Sequence, residues 1–345
     1  MTSKGEFFQM AVRLKAICFI ILVWNIIVLD VIEGFGSSGR ANSIAEISIA
    51  KALEKQRLRA LQPQKKESLG FKPEEYWLNK KGCPIGTVPI RRMTKKQQQR
   101  AKYASLSLAN ESLPGSIKDF AGISIVPPPQ IGRFLGASAT MTLYNPHVNG
   151  PGQYSAASIY LERGVERTQA GWIVDNGQIT GCYNTICPGY VHTSGEVPID
   201  YAFPKVSFPM FDNYEVGIRI YLDEDYWLQL WFETDVGFWP FNIFKELKNA
   251  ANIAGYGWEV FTPAGEMVSP QMGNGQFLAG LQRSTCHMRQ VVYEGDVQEF
   301  PPDPSIVTTH QSRCYYEGSE NNALDDYWVY NFIFGGEGNC TVPPI

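Results

Sequence analysis

Two neighbouring runs rich in β-branched and aromatic residues indicate the fold. The first run is Tyr214-Glu215-Val216-Gly217-Ile218-Arg219-Ile220-Tyr221, and the second is Tyr226-Trp227-Leu228-Gln229-Leu230-Trp231-Phe232. Alternation with a period of two, carried by β-branched and aromatic residues, is typical of β-strands. Asp223, Glu224 and Asp225 lie between the runs and favour a solvated turn over a calcium site. The pattern therefore predicts two strands joined by a turn.

The same texture continues through the C-terminal two thirds of the chain. Other strand candidates are Ala139–Tyr144, Ser158–Leu161, Gly171–Val174 and Tyr327–Phe334. One stretch among them, Ile243–Ala251, is predicted to be a helix. Crossover helices do not alternate with the strands, so the sheets should be antiparallel and packed face to face. We predict an all-β fold, an antiparallel β-sandwich preceded by a small, partly helical propeptide.

The composition fits one large β domain with a leader. The chain has 345 residues, 44% of them hydrophobic and only 19% charged, with 32 Gly and 22 Pro. Many turns and few charges favour short strands over long helices. Residues 51–102 are basic although the net charge is −4. This stretch lacks the interleaved aromatic residues of a nucleic-acid-binding surface, so we expect no nucleic-acid partner.

The N-terminus has the pattern of a secretory signal. Lys4, Arg13 and Lys15 precede an apolar run that begins at Ala16 and extends to Leu29. A basic segment followed by a short apolar run is what the secretory machinery recognises, and this run is short for a membrane span. We predict secretion to the extracellular space, in a plant the apoplast, without stable membrane association once the signal is removed. A signal-anchored or a vacuolar protein is the alternative.

Three features of the region between the signal and the strands indicate a propeptide. Residues 43–61 have near-helical apolar spacing, and residues 83–92 form an extended segment punctuated by Pro and Gly. The loop-rich section from Ala104 to Gln130 is the expected place for a processing boundary. We divide the chain into a signal peptide (1–39), a propeptide (40–120) and a β-sandwich domain (121–345).

The cysteines indicate disulfides and not a metal site. Cys182 and Cys187 are close enough for a small disulfide ring, and Cys314 and Cys340 would fasten the C-terminus. Cys83 and Cys286 have no obvious partner in the sequence. No cysteine pair has zinc-ligand spacing with histidines nearby, so we expect neither a metal nor a cofactor. Two sequons, at Asn110 and Asn339, are expected glycosylation sites.

Five blocks resemble the neprosin-type glutamic peptidases of plants, which carry an activation-peptide domain ahead of the catalytic domain. Residues 82–92 resemble the end of the activation peptide, and residues 180–191 form the most specific block. The other blocks are residues 237–240, 271–275 and 334–340. The resemblance implies a secreted glutamic endopeptidase, made as a zymogen, activated in acid and cleaving after proline. Its partners would be a peptide or protein substrate and its own propeptide.

The resemblance also implies two opposed carboxyl groups, of which this chain matches one. Glu259 aligns with the distal carboxylate, whereas Gln169 stands where the family has the proximal one. A Gln amide cannot transfer protons, but its N–H groups can stabilise an oxyanion. Glu166 is an alternative carboxylate, although its odd spacing from Gln169 puts it on the opposite face of a strand. We expect Trp172, Trp258 and Gln271 to line the substrate groove.

A second departure from the family pattern concerns the substrate groove. Only residues 173–179 separate Trp172 from the 180–191 block, where the family has a longer passage. A shorter passage should widen or reshape the groove. Two functions therefore remain open at the level of sequence. One is an acid-acting endopeptidase with Gln169 and Glu259, and the other is a catalytically inactive β-sandwich that binds peptides or cell-wall polysaccharide.

Overall fold

A computed structural model describes most of the predicted sandwich. The described residues are 83, 87–90, 95, 115–150, 152–175, 189–209, 211, 213–231, 234–276, 285–296, 298–319 and 327–339. The signal peptide, the helix predicted at 43–61, Asn110, Cys182, Cys187 and Cys340 lie outside these residues, as does nearly all of the predicted propeptide. No helix in the described part is long and apolar enough to cross a membrane.

The described residues form fourteen β-strands and short 3₁₀ turns. In chain order the strands are β1 (Ile117–Ile125), β2 (Gly136–Thr142), β3 (Tyr154–Arg163), β4 (Glu166–Val174), β5 (Val191–His192), β6 (Glu215–Asp223), β7 (Tyr226–Trp231), β8 (Thr234–Pro240), β9 (Ile253–Thr262), β10 (Cys286–Glu294), β11 (Glu299–Phe300), β12 (Val307–His310), β13 (Tyr316–Ser319) and β14 (Phe332–Gly335). The all-β prediction is confirmed.

Two antiparallel sheets contain these strands. The smaller has five strands in the order β12-β1-β9-β3-β4, and the larger has the order β13-β14-β10-β2-β6-β7-β8-β5 with β11 paired to β10. The predicted strands that begin at Tyr214 and Tyr226 form the β6–β7 hairpin, in which Asp223 pairs with Tyr226 across the turn. Tyr226 donates a hydrogen bond from its hydroxyl to the Asp223 carboxylate, 3.1 Å away. The acidic residues therefore belong to a turn.

The core lies between the two sheets. Strand β4 shows the alternation clearly, since Thr168, Ala170 and Trp172 are buried while Gln169 and Gly171 are exposed. Burying a large apolar side chain at such a position contributes roughly 1.5–3 kcal/mol to folding. The largest side chains that are fully or almost fully buried are Trp227, Trp258, Tyr256, Tyr315, Phe134, Phe238, Phe332 and Phe334.

The helix predicted at Ile243–Ala251 is wrong. The structure has two 3₁₀ turns there, Phe241–Ile243 and Leu247–Asn249. Residues 244–246 separate them, and Phe244 is extended. Ala250 follows with φ of 75°, which a helix cannot contain. Leu247 is fully buried, and its backbone N–H donates a hydrogen bond to the Glu166 carboxylate on β4. Tertiary contacts have overridden local helix propensity here.

Two strand predictions also need correction at their ends. The candidate at Tyr327–Phe334 begins as a strand only at Phe332, because Val329 has φ of 49° and residues 327–330 form a turn. The candidate at Ala139–Tyr144 ends as a strand at Thr142. Leu143 and Tyr144 nonetheless remain buried in the core.

Candidate active site

Glu259 lies on the outer face of the five-stranded sheet. On β9 the neighbouring even-numbered residues, Tyr256, Trp258 and Val260, point into the core and have no exposed surface. Because side chains alternate along a strand, Glu259 faces away from the core. It pairs with Phe120 of β1 and Ala156 of β3, in the middle of the sheet. Its side chain is 13% exposed, so the carboxylate is recessed but reachable by solvent.

Two donors hold the Glu259 carboxylate. The Tyr154 hydroxyl donates to Oε1 at 2.5 Å, and the Lys118 ammonium lies 3.3 Å from the same oxygen. Burial first, and then the negative charge of Glu259, raise the pKa of Tyr154 far above its usual value. Tyr154 is therefore a permanent neutral donor. Its ring stacks on Phe261, with centroids 5.4 Å apart, which fixes its direction.

A row of small residues crosses the sheet beside Glu259. Gly122, Gly257, Ser158 and Gly171 pair in register across β1, β9, β3 and β4. A Cβ at Gly171 would lie 1.8 Å from the Ala157 carbonyl oxygen, and one at Gly257 would lie 2.5 Å from that of Ala121. Neither position accepts a side chain without a backbone shift. The row is thus a floor on the outer face that is exposed at Gly171 and covered at Gly257 by the Phe120 ring, whose Cζ lies 2.6 Å from where a Cβ would be.

Gln169 shares this face with Glu259. Its amide nitrogen donates to the Ser158 hydroxyl oxygen at 2.8 Å. Ser158 pairs directly with Gly171 and Gly257, so Gln169 and Glu259 are its diagonal neighbours on opposite sides. Each diagonal step is about 7–8 Å. The strand register therefore brings Gln169, Ser158 and Glu259 onto one diagonal of the outer face.

Aromatic side chains that the sequence argument missed lie along this line. Phe120 contacts Tyr160 and His310 edge to face, with centroids 6.0 and 5.7 Å away. Arg167 stacks over the Tyr160 ring at 4.1 Å. Ser158 and Tyr160 have the same parity in a predicted strand, which is a signal that they share a face. Their neighbours on β1 and β9 could not be known without the register.

Glu166 does not face the site. It lies three residues from Gln169, and its carboxylate accepts hydrogen bonds from the backbone N–H groups of Lys245, Glu246 and Leu247 at 2.7, 2.8 and 2.9 Å. These bonds, that of Leu247 foremost, lower the pKa of Glu166. The carboxylate thus caps the 3₁₀ turn at Leu247. As the odd spacing predicts, Glu166 cannot take the place of the missing carboxylate.

Of the three residues expected to line a substrate groove, the two tryptophans point away from the face that holds Glu259. Trp258 has no exposed surface and donates to the Ser155 hydroxyl at 2.6 Å. Trp172 packs against it in the core, with centroids 4.4 Å apart, because both occupy inward positions of their strands. Gln271 accepts a bond from the His147 backbone N–H at 3.0 Å, which ties it to the β2–β3 connection. Strand parity therefore turns both tryptophans away from the outer face, which holds Glu259 and Gln169.

A comparison with protein-family models fits this arrangement. The neprosin family model matches residues 158–337, which is just over half of the chain. The chain belongs to the neprosin family. The matched region begins at Ser158 and includes both Gln169 and Glu259. Strand β1 precedes it, so Lys118 and Phe120 come from outside the matched neprosin region yet pair with β9 beside the site.

The cysteines of this neprosin-family chain are partly described. Cys314 is disulfide-bonded, and its partner lies outside the described residues, so the Cys314–Cys340 and Cys182–Cys187 bonds remain predictions. Cys286 is a buried free thiol that accepts a hydrogen bond from the Thr142 hydroxyl at 3.4 Å. The described residues contain no cluster of three or more His, Cys, Asp or Glu that could hold a metal ion. Asn339, a predicted glycosylation site, is exposed.

Proposed function

We propose that this protein is a peptidase in which Glu259 is the proton-transferring carboxylate and Gln169 the oxyanion donor. The observation that carries the proposal is the position of Glu259. It is a recessed carboxylate, held by Tyr154 and Lys118, on a face that it shares with an amide. Such a face can hold an extended peptide with the scissile carbonyl between the two side chains.

The reaction uses one carboxylate twice. Glu259 removes a proton from a water, and the water oxygen attacks the carbonyl carbon of the peptide bond. The second N–H of the Gln169 amide donates to the developing oxyanion while the first stays on Ser158. Protonated Glu259 then gives its proton to the leaving nitrogen as the C–N bond breaks. The carboxylate returns to its starting form, so no cofactor is needed.

The proposal also includes secretion, acid activation of a zymogen and a preference for proline-containing substrates. The basic and apolar leader supports secretion. A contact of the predicted propeptide supports the zymogen, since the Cys83 backbone N–H donates to the Gly195 carbonyl at 3.0 Å. Residues 117–120 belong to β1 and pair with β9. We therefore place the processing boundary before Ile117, earlier than the expected residue 120.

The test is peptide cleavage by the full secreted chain. The protein is incubated at about pH 3.5 and at pH 7 with a set of peptides with and without proline, and products and propeptide loss are followed by mass spectrometry. We expect cleavage in acid that Glu259→Gln abolishes. Glu224→Gln, an exposed residue of the β6–β7 turn, is the control and should cleave normally. Equal cleavage by Glu259→Gln would overturn the assignment.

A second function is favoured by the amide at position 169. With an amide and not a second carboxylate opposite Glu259, the outer surface would bind peptides or cell-wall polysaccharide without hydrolysis. Calorimetry with the same peptides and with wall oligosaccharides separates the two. Tight binding without any product at either pH would establish the binding protein and reject the peptidase.

A further inference from the structure

A cavity of about 620 Å³ lies beside β4, the last strand in the order of the five-stranded sheet, next to the candidate site. Gly171 and Ile173, from the outer face of β4, line it together with Trp172 from the inner face. The opposite wall includes Gln229 and Trp231 of β7, and the segment 197–206 forms another side. The cavity thus continues from the outer face of the small sheet, around its edge strand, to the larger sheet.

Gly171 connects the cavity to the candidate site. It lies in the row of small residues that forms the floor, and it also lines the cavity. Gln169 is two residues away, about 7 Å along the strand. A peptide whose carbonyl lies beside Gln169 can therefore extend into the cavity within two or three residues.

The cavity walls are aromatic and acidic. Tyr201, Phe203 and Trp231 contact one another, with ring centroids 5.4 to 6.1 Å apart. Asp175 and Asp200 also line the cavity, whereas none of its described lining residues is Lys, Arg or His. The walls therefore offer aromatic surface and negative charge.

We infer that this cavity binds a segment of the polypeptide substrate in which a bulky apolar side chain is next to Lys or Arg. The inference rests on the proposed peptidase function and names its substrate class. The volume is in the range of pockets that enclose drug-sized ligands, which is much larger than a proline ring. Aromatic walls bind the apolar side chain, and the carboxylates with the aromatic faces attract the cation.

The experiment measures peptide binding apart from catalysis. In the Glu259→Gln background of the full chain, fluorescence anisotropy at pH 6 gives Kd for four labelled peptides of equal length, which contain Phe-Lys, Phe-Glu, Gly-Lys or Gly-Glu. Val206→Trp and Ile199→Trp fill the cavity from the 197–206 segment. Val165→Trp, on the β3–β4 turn and 92% exposed, is the matched control. Thermal melts establish that each variant is folded.

We expect the Phe-Lys peptide to bind at least tenfold more tightly than the Gly-Glu peptide. Both filling variants should raise its Kd about tenfold, and Val165→Trp should not change it. Asp175→Asn with Asp200→Asn should reduce the Lys-over-Glu preference several-fold, whereas Glu224→Gln should leave it intact. Equal binding of all four peptides, or an unchanged Kd in folded Val206→Trp and Ile199→Trp, overturns the inference.

Cleavage by the chain with Glu259 intact distinguishes failure of the inference from failure of the peptidase proposal. If peptides are cleaved but the filling variants bind Phe-Lys normally, the cavity inference fails and the peptidase stands. If nothing is cleaved and the filling variants still lose Phe-Lys binding, the cavity binds peptide and the peptidase proposal fails.

Discussion

Tyr154 donates a hydrogen bond from its hydroxyl to Glu259 across two neighbouring strands, with 2.5 Å between the oxygens. The two residues are diagonal neighbours, since Tyr154 pairs with Phe261 and Glu259 with Ala156. Burial and the charge of Glu259 keep the tyrosine protonated because they raise its pKa. The bond therefore restricts which oxygen of the carboxylate can accept a proton from water.

Removing this donor should slow catalysis without weakening substrate binding. A hydrogen bond to a charged group contributes about 1.5–3 kcal/mol, so we expect Tyr154→Phe to lower kcat at least tenfold with KM nearly unchanged. Steady-state kinetics on a peptide that the wild-type chain cleaves provide the measurement. Tyr316→Phe, on the larger sheet, is the control. A rise in KM with kcat unchanged would show that Tyr154 contacts substrate instead.

Restoring a carboxylate at position 169 should increase activity in acid. Gln169→Glu places a second carboxyl group on the same diagonal, where its protonated form can donate to the carbonyl or the leaving group. We expect kcat at about pH 3.5 to rise about tenfold, with a smaller gain at pH 6, as the new group loses its proton. The pH profiles of both proteins test this. A variant that is less active than wild type throughout would mean that the amide is the better partner for Glu259.

The buried Glu215 should make stability depend on pH below about 4.5. Burial acts to raise the pKa of Glu215, but hydrogen bonds and charge from His287 and Arg289 outweigh it and lower the value to about 2. The nearest distances are 2.8 Å to His287 Nε2 and 2.7 Å to Arg289 Nη2. Since the folded pKa is depressed, the stabilisation is complete above about pH 4.5 and is lost as the pH falls towards 2. At pH 3.5, between these two values, part of the stabilisation by Glu215 therefore remains.

Glu215→Gln is the corresponding test. Removing one charge from a buried group costs roughly 3 kcal/mol, so we expect a loss of about that size in the free energy of unfolding at pH 7. The difference from wild type should shrink at pH 3 and nearly vanish at pH 2. Urea denaturation at these three pH values measures it. A difference that stays constant with pH would contradict the titration of Glu215 as its source.

Glu166 should matter for stability and not for catalysis. Its carboxylate accepts three backbone N–H groups at the turn before Leu247, the role of a helix cap. Losing a cap costs about 1 kcal/mol, so Glu166→Ala should lower the melting temperature by a few degrees and leave kcat unchanged. Glu224→Ala gives the baseline for an exposed carboxylate. Complete loss of activity in a folded Glu166→Ala protein would return Glu166 to the candidate catalytic residues.

Local patterns explain which predictions from sequence succeeded. The short apolar and aromatic runs at residues 158–161 and 171–174 lie in β3 and β4. The helix prediction for Ile243–Ala251 failed because the apolar spacing there is also that of a helix. In the structure, the carboxylate of Glu166 on β4 accepts a hydrogen bond from the Leu247 N–H and stabilises a 3₁₀ turn instead. Trp258 misled for another reason. The sequence does not reveal which parity of β9 faces the core, and the structure buries the even positions and leaves Glu259 outside.

Sequence alone is enough to predict an all-β member of the neprosin-type family with a carboxylate at position 259 and an amide at position 169. Alternation of side chains is a local property, and motifs are read along the chain. Three relationships follow only from the packed strands: Tyr154 meets Glu259 from 105 residues away, Ser158 lies between Gln169 and Glu259, and Lys118 belongs to the site. These relationships depend on the register between strands, which is set when distant segments pair and bury a common core.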